Sequence, residues 1–398
     1  MFVEISVILH GEINLHNPQE MYEYQGLQDI YFIMLYGGAT ALALASCIYL
    51  LFRRGNAFTS VGSSPRQLRL WTAAFMVAVV GSHVWWSLLG TLYLTDDRLI
   101  RNIVAIALDR LTFVPLVMCV LLRMLQDRPR PLWPVAAAFV PLAVFSVYCL
   151  VAHCDYFELV TECYSLLTGL AFLIYYVYAV RQYGHWLRDN YADLEHKEVW
   201  GSLLLFAMLL FSYVGYASNG GDLVGEYLAQ INTVVIIAFL LWRVETLQEL
   251  IVPDETAQDD LVEDAPVEEM PVEQVTIPAS DKQSSLTVID SLLKKRCEKS
   301  RIYLQHDLTL QQLADALGTN RTYLGRYFAQ QGITYNAYIN GLRIEHFMCL
   351  YQQAIATHRN VSALRLSYEA GFRSYSTFSS AFRQYKGMTA SQWIRRIS

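Results

Sequence analysis

The sequence predicts an all-α chain in two unlike parts. The first is a bundle of seven membrane-crossing helices; the second is a small module in which a pair of short helices occurs twice around a connecting helix. Three observations carry that prediction. Apolar residues make up 54% of the 398 positions and charged ones only 17%, too few charges for an ordinary soluble protein. The apolar excess lies almost wholly before Val252, gathered into stretches of roughly the ~20 residues that a bilayer requires. Between Asp307 and Arg396, one apolar-periodic pattern broken by glycine occurs twice.

In chain order, residues 1–29 contain no Lys or Arg. The short apolar run MFVEISVILHGEINLH lacks a basic flank and is interrupted by Glu4, so it reads as an external segment rather than a cleaved leader. Seven spans are expected at 30–52, 70–94, 103–125, 132–152, 157–180, 199–217 and 226–247, with Tyr93, Trp133 and Trp200 as interfacial anchors. Basic residues sit in alternate loops: Arg53, Arg54, Arg66 and Arg69; Arg123, Arg128 and Arg130; Arg181, Arg188 and Lys197. The intervening loops supply only Arg98 and Arg101. Because positive charge is retained on the cytoplasmic side, this bias places the N-terminus outside and the C-terminus in the cytoplasm.

Ionisable groups inside a bilayer cost at least ~2.5–3.5 kcal/mol each, so they face a bundle interior. His83, Asp109, Arg110, Glu162 and Asn232 form the candidate sensing cluster, with Glu158 or Glu162 the expected partner of Arg110. Interhelical hydrogen bonding for stability is an equal alternative. No glycine-rich phosphate loop or CxxC pair occurs, and one histidine within the spans is too few for a metal site. Neither an enzyme activity, a cofactor nor a metal is therefore expected. Cys154 and Cys163 fall near the expected outer face, where a bridge between them stays an open alternative.

After the last span, RVETLQELIV keeps helical spacing, so the helix is expected to run a turn or two further, as far as Pro253. Residues 253–281 hold ten acidic residues, four prolines and no basic or aromatic residue. Such a segment cannot bury a core and reads as an extended acidic linker with a reach of about 30 Å. One expectation is that it folds back on the basic face that follows. An amphipathic helix is expected at 285–300, leading the C-terminal module. From Lys282 onward sixteen Lys and Arg face six Asp and Glu. A chain of net charge −6 therefore carries a basic module, the footprint of a phosphate-binding surface.

Within that module, DLTLQQLADALGTNRTYLGRYFAQQG gives a short helix, a break at Gly318 and a second helix over Arg321–Gln330, a helix-turn-helix pattern. VSALRLSYEAGFRSYSTFSSAFRQYKG repeats it around Ala370, Gly371 and Phe372, and the helical spacing of TYNAYINGLRIEHFMCLYQQA supplies the connecting helix. These segments resemble the DNA-binding domain of the AraC/XylS family of bacterial transcription regulators. The resemblance rests on Leu310, Leu313, Ala314, Tyr323, Leu324, Phe328, Gly332, Tyr338, Arg343, Gly371, Phe372, Phe378, Phe382, Gly387 and Trp393. Phe347, Ser367 and Ala390 depart from the family pattern, which prefers a small residue, alanine and proline there. The resemblance implies double-stranded DNA as partner and a bacterial regulator; taken with the seven expected spans, it places the chain in the bacterial inner membrane with the lipid bilayer as a second partner.

The second helix of each unit is expected in a major groove. In the first, Arg321, Thr322, Gly325 and Arg326 form the exposed face, with Arg326 the strongest base-reading candidate, and Tyr323, Leu324, Tyr327 and Phe328 the buried one. In the second, Arg373, Tyr375, Ser376, Ser379 and Ser380 face outward, while Phe378, Ala381 and Phe382 face inward. Arg343 reads either as a DNA contact or as a tie between the connecting helix and its neighbours. The combined reading is a membrane-bound one-component transcription regulator governed by a small-molecule or membrane signal, with a homodimer of two tethered domains on one promoter left open. Its alternatives are a transporter or membrane enzyme with a fused DNA-binding domain, and a protein-interaction module that has lost DNA binding.

Overall fold

A computed structural model describes residues 29–53, 65–91, 98–152, 158–195, 197–205, 207–208, 223–250, 282–358 and 362–397. The described residues are helical, with no strand among them and a single isolated bridge between Tyr191 and Thr309. They fall into two compact units. One comprises Met1–Arg181 and Val199–Val252, the other Gln182–Glu198 and Pro253–Ser398.

The first unit is built from α1 (Ile30–Phe52), α2 (Arg66–Thr91), α3 (Arg98–Arg123), α4 (Trp133–Ala152), the body of α5 (Glu158–Asn190) and α6 (Leu223–Thr246). Six helices among the described residues are long and apolar enough to cross a membrane. The expected span at 199–217 lies mostly outside the described residues. Helix α1 starts where the Asp29 carboxylate accepts the N–H groups of Tyr31 and Phe32, satisfying two otherwise orphaned donors. It packs on α2 and α6, and α3 packs between α2 and α4. The outward surface is apolar: Leu167 is 64% exposed and Ile174 65%, a surface that water disfavours and lipid does not.

Two expectations about helix ends are corrected. Helix α5 does not stop near residue 180 but continues to Asn190. Tyr176, Val180, Tyr183 and Leu187 are buried at helical spacing, so the apolar stripe outlasts the hydrophobic span, and Arg181 and Arg188 are helical rather than in a loop. Conversely, α6 ends at Thr246 and does not extend toward Pro253. There the side chain of Gln126 replaces the helical bonds: its Nε2 donates to the Gln248 carbonyl at 3.0 Å and its Oε1 accepts from Leu250 N–H at 2.8 Å. Arg69 closes the same end, donating to Glu245 at 3.3 Å and to the Leu50 and Arg53 carbonyls.

The second unit contains α7 (Lys282–Leu292), which continues as a π-turn over Leu293–Glu298, then α8 (Leu310–Leu317), α9 (Arg321–Gln330), α10 (Tyr335–Ala356), α11 (Ala363–Glu369), α12 (Tyr375–Lys386) and α13 (Ala390–Ile397). Ile289, Leu293 and Cys297, four residues apart, bury the inner face of the leading helix. Polar caps set the other helix starts. Thr309 and Gln312 form a capping box, and Asn320, Thr334, Ser362 and Ser374 each accept a first-turn N–H. Two apolar cores share α10. Tyr335 and Ile339 join the first with α7, α8 and α9; Ile344 and Phe347 join the second with α11, α12 and α13.

The three departures from the family pattern are each absorbed by packing. Phe347 is fully buried, its ring 4.5 Å from that of Phe378 and 5.9 Å from that of Phe382. Ser367 is buried with its hydroxyl donating to the Leu364 carbonyl at 2.7 Å. Ala390 starts α13 and is buried in the second core.

Candidate nucleic-acid interface

Helix α9 follows a tight turn in which Gly318 takes φ +70°, left-handed and open to glycine without strain. Leu324, Tyr327 and Phe328, at i, i+3 and i+4, bury one face. The opposite face presents Thr322 and Arg326, both exposed, beside half-buried Gly325. Tyr323, expected inside, is 42% exposed. At 100° per residue it lies about a quarter turn from the centre of the buried stripe, so it borders Arg326 instead of the core. Arg321 is not free. Its Nη2 and Nε donate to Asn190 Oδ1 at 2.6 and 3.2 Å.

In the second unit of the repeat the turn contains Gly371 at φ +90°. A Cβ there would meet the Leu304 backbone at 2.8 Å, so glycine is required by conformation and by space alike. Phe378, Ala381 and Phe382 are buried, Ser376 and Ser380 are exposed, and Ser379 is half-buried. Tyr375, expected to face outward, leans on the second core with its ring 5.5 Å from Phe378, the neighbour one helical turn on. Arg373 Nη1 binds Asp307 Oδ2 at 2.7 Å. Asp307 Oδ1 in turn receives Lys197 Nζ at 3.1 Å.

Arg343 resolves as a structural tie. Its side chain is 0% exposed, as is that of Asp193, whose carboxylate it meets at 3.1 Å. The same guanidinium donates to the Tyr303 and Gln305 carbonyls, both at 2.7 Å, and lies over the Phe372 ring. A buried ion is tolerated when its donors are satisfied in this way.

Asp193, Asn190 and Lys197 belong to QYGHWLRDNYADLEHKE, the stretch at 182–198 that sequence reasoning left as a connecting loop. In the second unit it is integral. Ala192 is buried in the first core, its N–H donates to the Leu308 carbonyl at 3.1 Å, and Asn336 donates to the Tyr191 carbonyl at 3.2 Å. Asp193 Oδ2 accepts the Asp307 N–H at 2.9 Å, and Glu195 Oε2 accepts from the Thr377 hydroxyl at 3.3 Å. The available signal was the stripe of Tyr183, Leu187 and Tyr191, which is more apolar than a solvated loop needs.

These helices, caps and glycine turns can be set beside known proteins. Residues 313–396 match the family of the helix-turn-helix domain. The C-terminal module is an AraC-type helix-turn-helix domain. Comparisons with curated proteins and with solved structures returned no match. The AraC-type domain makes the chain a DNA-binding transcription regulator. The matched residues begin inside α8, so the leading helix and 182–198 lie outside the match.

The polar residues of the first unit have separate partners. His83 stacks on Tyr36 with ring centroids 4.2 Å apart, and its Nδ1 lies 2.6 Å from the Thr40 hydroxyl. Asp109 Oδ2 accepts from Trp86 Nε1 at 2.7 Å. Arg110 reaches Glu162 at 3.6 Å and donates to Thr161 at 3.0 Å; the side chain of Glu158 lies outside the described residues, as does Cys154. Asn232 donates to the Met208 carbonyl at 3.3 Å. No group of three metal-ligating side chains occurs among the described residues.

Proposed function

We propose that the protein is a membrane-bound one-component transcription regulator that reads promoter DNA through α9 and α12 and responds to a signal received in or across the bilayer. The observation that carries the DNA-reading part is the outward face of α9, where Thr322 and Arg326 stand exposed on a helix whose other side is locked into a core. A guanidinium so placed suits a bidentate contact to guanine, worth ~1–3 kcal/mol of discrimination. In the first two turns of α12 the exposed residues are short hydroxyls, Ser376 and Ser380, so the second unit contributes mainly backbone contacts.

The membrane part is supported by six helices of spanning length and by ten basic residues at alternate ends of the expected spans against two at the others. On this reading the N-terminus is external and the AraC-type domain meets DNA without leaving the membrane. The groups around His83 and Asp109 and the Arg110–Glu162 pair are the candidate signal receivers, since a polar side chain held between helices changes helix packing when its partner changes. Two such chains on one promoter would bind more tightly than one through effective concentration.

Chromatin immunoprecipitation of the full-length protein tests the proposal in its own cell. Enrichment of a common sequence motif, lost in Arg326→Ala while the protein stays in the membrane fraction, supports it. Wild-type enrichment no greater than that of an untagged control refutes it.

A further inference from the structure

The N-terminal turns of α9 and α12 already have polar partners within the second unit. Asn190 accepts two hydrogen bonds from Arg321, the first residue of α9. Five positions on, Glu195 accepts the hydroxyl proton of Thr377, in the first turn of α12. Asp193, between them, pairs with Arg343 inside the domain, and Lys197, two positions further on, pairs with Asp307, fixing the peptide in place. A single short stretch thus reaches the N-terminal turn of both reading helices. Those turns are where the backbone N–H groups and side-chain donors of a helix-turn-helix protein meet phosphate.

The chemistry of this stretch is that of a weak substitute for nucleic acid. Residues 189–198, DNYADLEHKE, carry four carboxylates against one lysine, and they offer carbonyl and carboxylate oxygens to an arginine and a hydroxyl. The side chain of Asn190 is itself held in position: its Nδ2 donates to the Trp186 carbonyl at 2.7 Å, which leaves Oδ1 turned toward Arg321.

We propose that the 189–198 peptide competes with DNA phosphate for Arg321, so that a full set of backbone contacts forms only when Asn190 lets go. The inference rests on the DNA-binding reading of α9 and adds to it a built-in competitor. Asn190 is the last residue of α5, so a change in that helix is a direct means of shifting it. Arg326 and Thr322 lie clear of the peptide, on the exposed side of α9. Docking therefore weakens binding by one phosphate contact and does not abolish it.

The test uses the full-length protein in lipid nanodiscs and a fluorescent random-sequence duplex spanning two major grooves, titrated over a range of salt. Asn190→Ala frees Arg321 and is expected to raise affinity and steepen the dependence of log K on log salt by about 0.9, the increment for one added phosphate contact. Asn190→Asp places a full charge on the same guanidinium and should lower affinity, a sign that general loosening of the fold does not produce. In an Arg321→Ala background neither change should alter affinity or slope. Equal affinities and slopes for wild type and Asn190→Ala overturn the competition, as does a gain that persists in the Arg321→Ala background. Failure of every variant, wild type included, to bind any duplex overturns the DNA-binding reading itself.

Discussion

Removing the carboxylate of Asp193 should loosen the AraC-type domain from a position about 150 residues away in sequence from its partner. Arg343 and Asp193 are both wholly buried, 3.1 Å apart, and the guanidinium has two further bonds to the Tyr303 and Gln305 carbonyls. Asp193→Ala keeps those carbonyl bonds but leaves a cation without its counter-ion, and also strips the Asp307 N–H of its acceptor. Breaking a buried pair on one side costs ~3–5 kcal/mol. Asp193→Asn keeps one acceptor oxygen for the two donors, turns its NH2 toward the other and removes the charge, so it should cost about as much as alanine, ~3–5 kcal/mol. Hydrogen exchange of the full-length protein, followed on peptides covering α10, reads this directly. Amides that exchange through opening of the whole domain should speed up by about 10²–10⁴-fold in the alanine variant, at ~1.4 kcal/mol per factor of ten. Exchange within a few-fold of wild type would refute the reasoning, because 182–198 would then be a passenger on a domain complete without it.

Gly371→Ala combines a left-handed backbone with a Cβ 2.8 Å from the Leu304 backbone, so a loss of at least ~1–3 kcal/mol is expected; thermal unfolding of the domain within the full-length chain measures it, and an unchanged midpoint refutes it. Burial pushes the Cys297 thiol up to about 12, whereas Cys349 is exposed. Mass spectrometry after brief alkylation at neutral pH should find Cys349 modified and Cys297 intact until denaturant is added. Burial, with Arg301 nearby, holds the His346 imidazole below its ordinary value. The unfolded chain therefore takes up this proton first, and the contribution of His346 is complete above ~6.5 and declines as pH falls below it toward the folded value. His346→Gln should flatten the acid side of the stability profile, and an identical slope in both proteins argues against the assignment.

Much of this architecture was legible because its determinants are local. The helix-turn-helix repeats announce themselves by Thr309, Asn320 and Ser374 at helix starts and by Gly318 and Gly371 at turns. The bounds of α1 and α9 follow from runs that begin and end within a few residues of a cap. What stayed hidden depends on partners remote in sequence. Gln126 substitutes for helical bonds at residues 248–250, and no local pattern at Gln126 says so. The placement of 182–198 rests on Asp193, Asn190 and Ala192 meeting Arg343, Arg321 and Asn336. Read singly, an aspartate and an asparagine at the end of a long apolar helix are indistinguishable from solvated residues. The position of Tyr323 was missed for a different reason: an aromatic at the edge of a stripe is apolar enough for either side.

A single 22-residue helix, α10, contributes to both cores. On the proposed reading of α9 and α12, neither helix slides along a duplex without dragging the other, so the operator should behave as one unbroken word of fixed spelling length. Inserting one base pair between its two halves turns the far half by about a tenth of a revolution, and this rigid ruler has no joint with which to follow it.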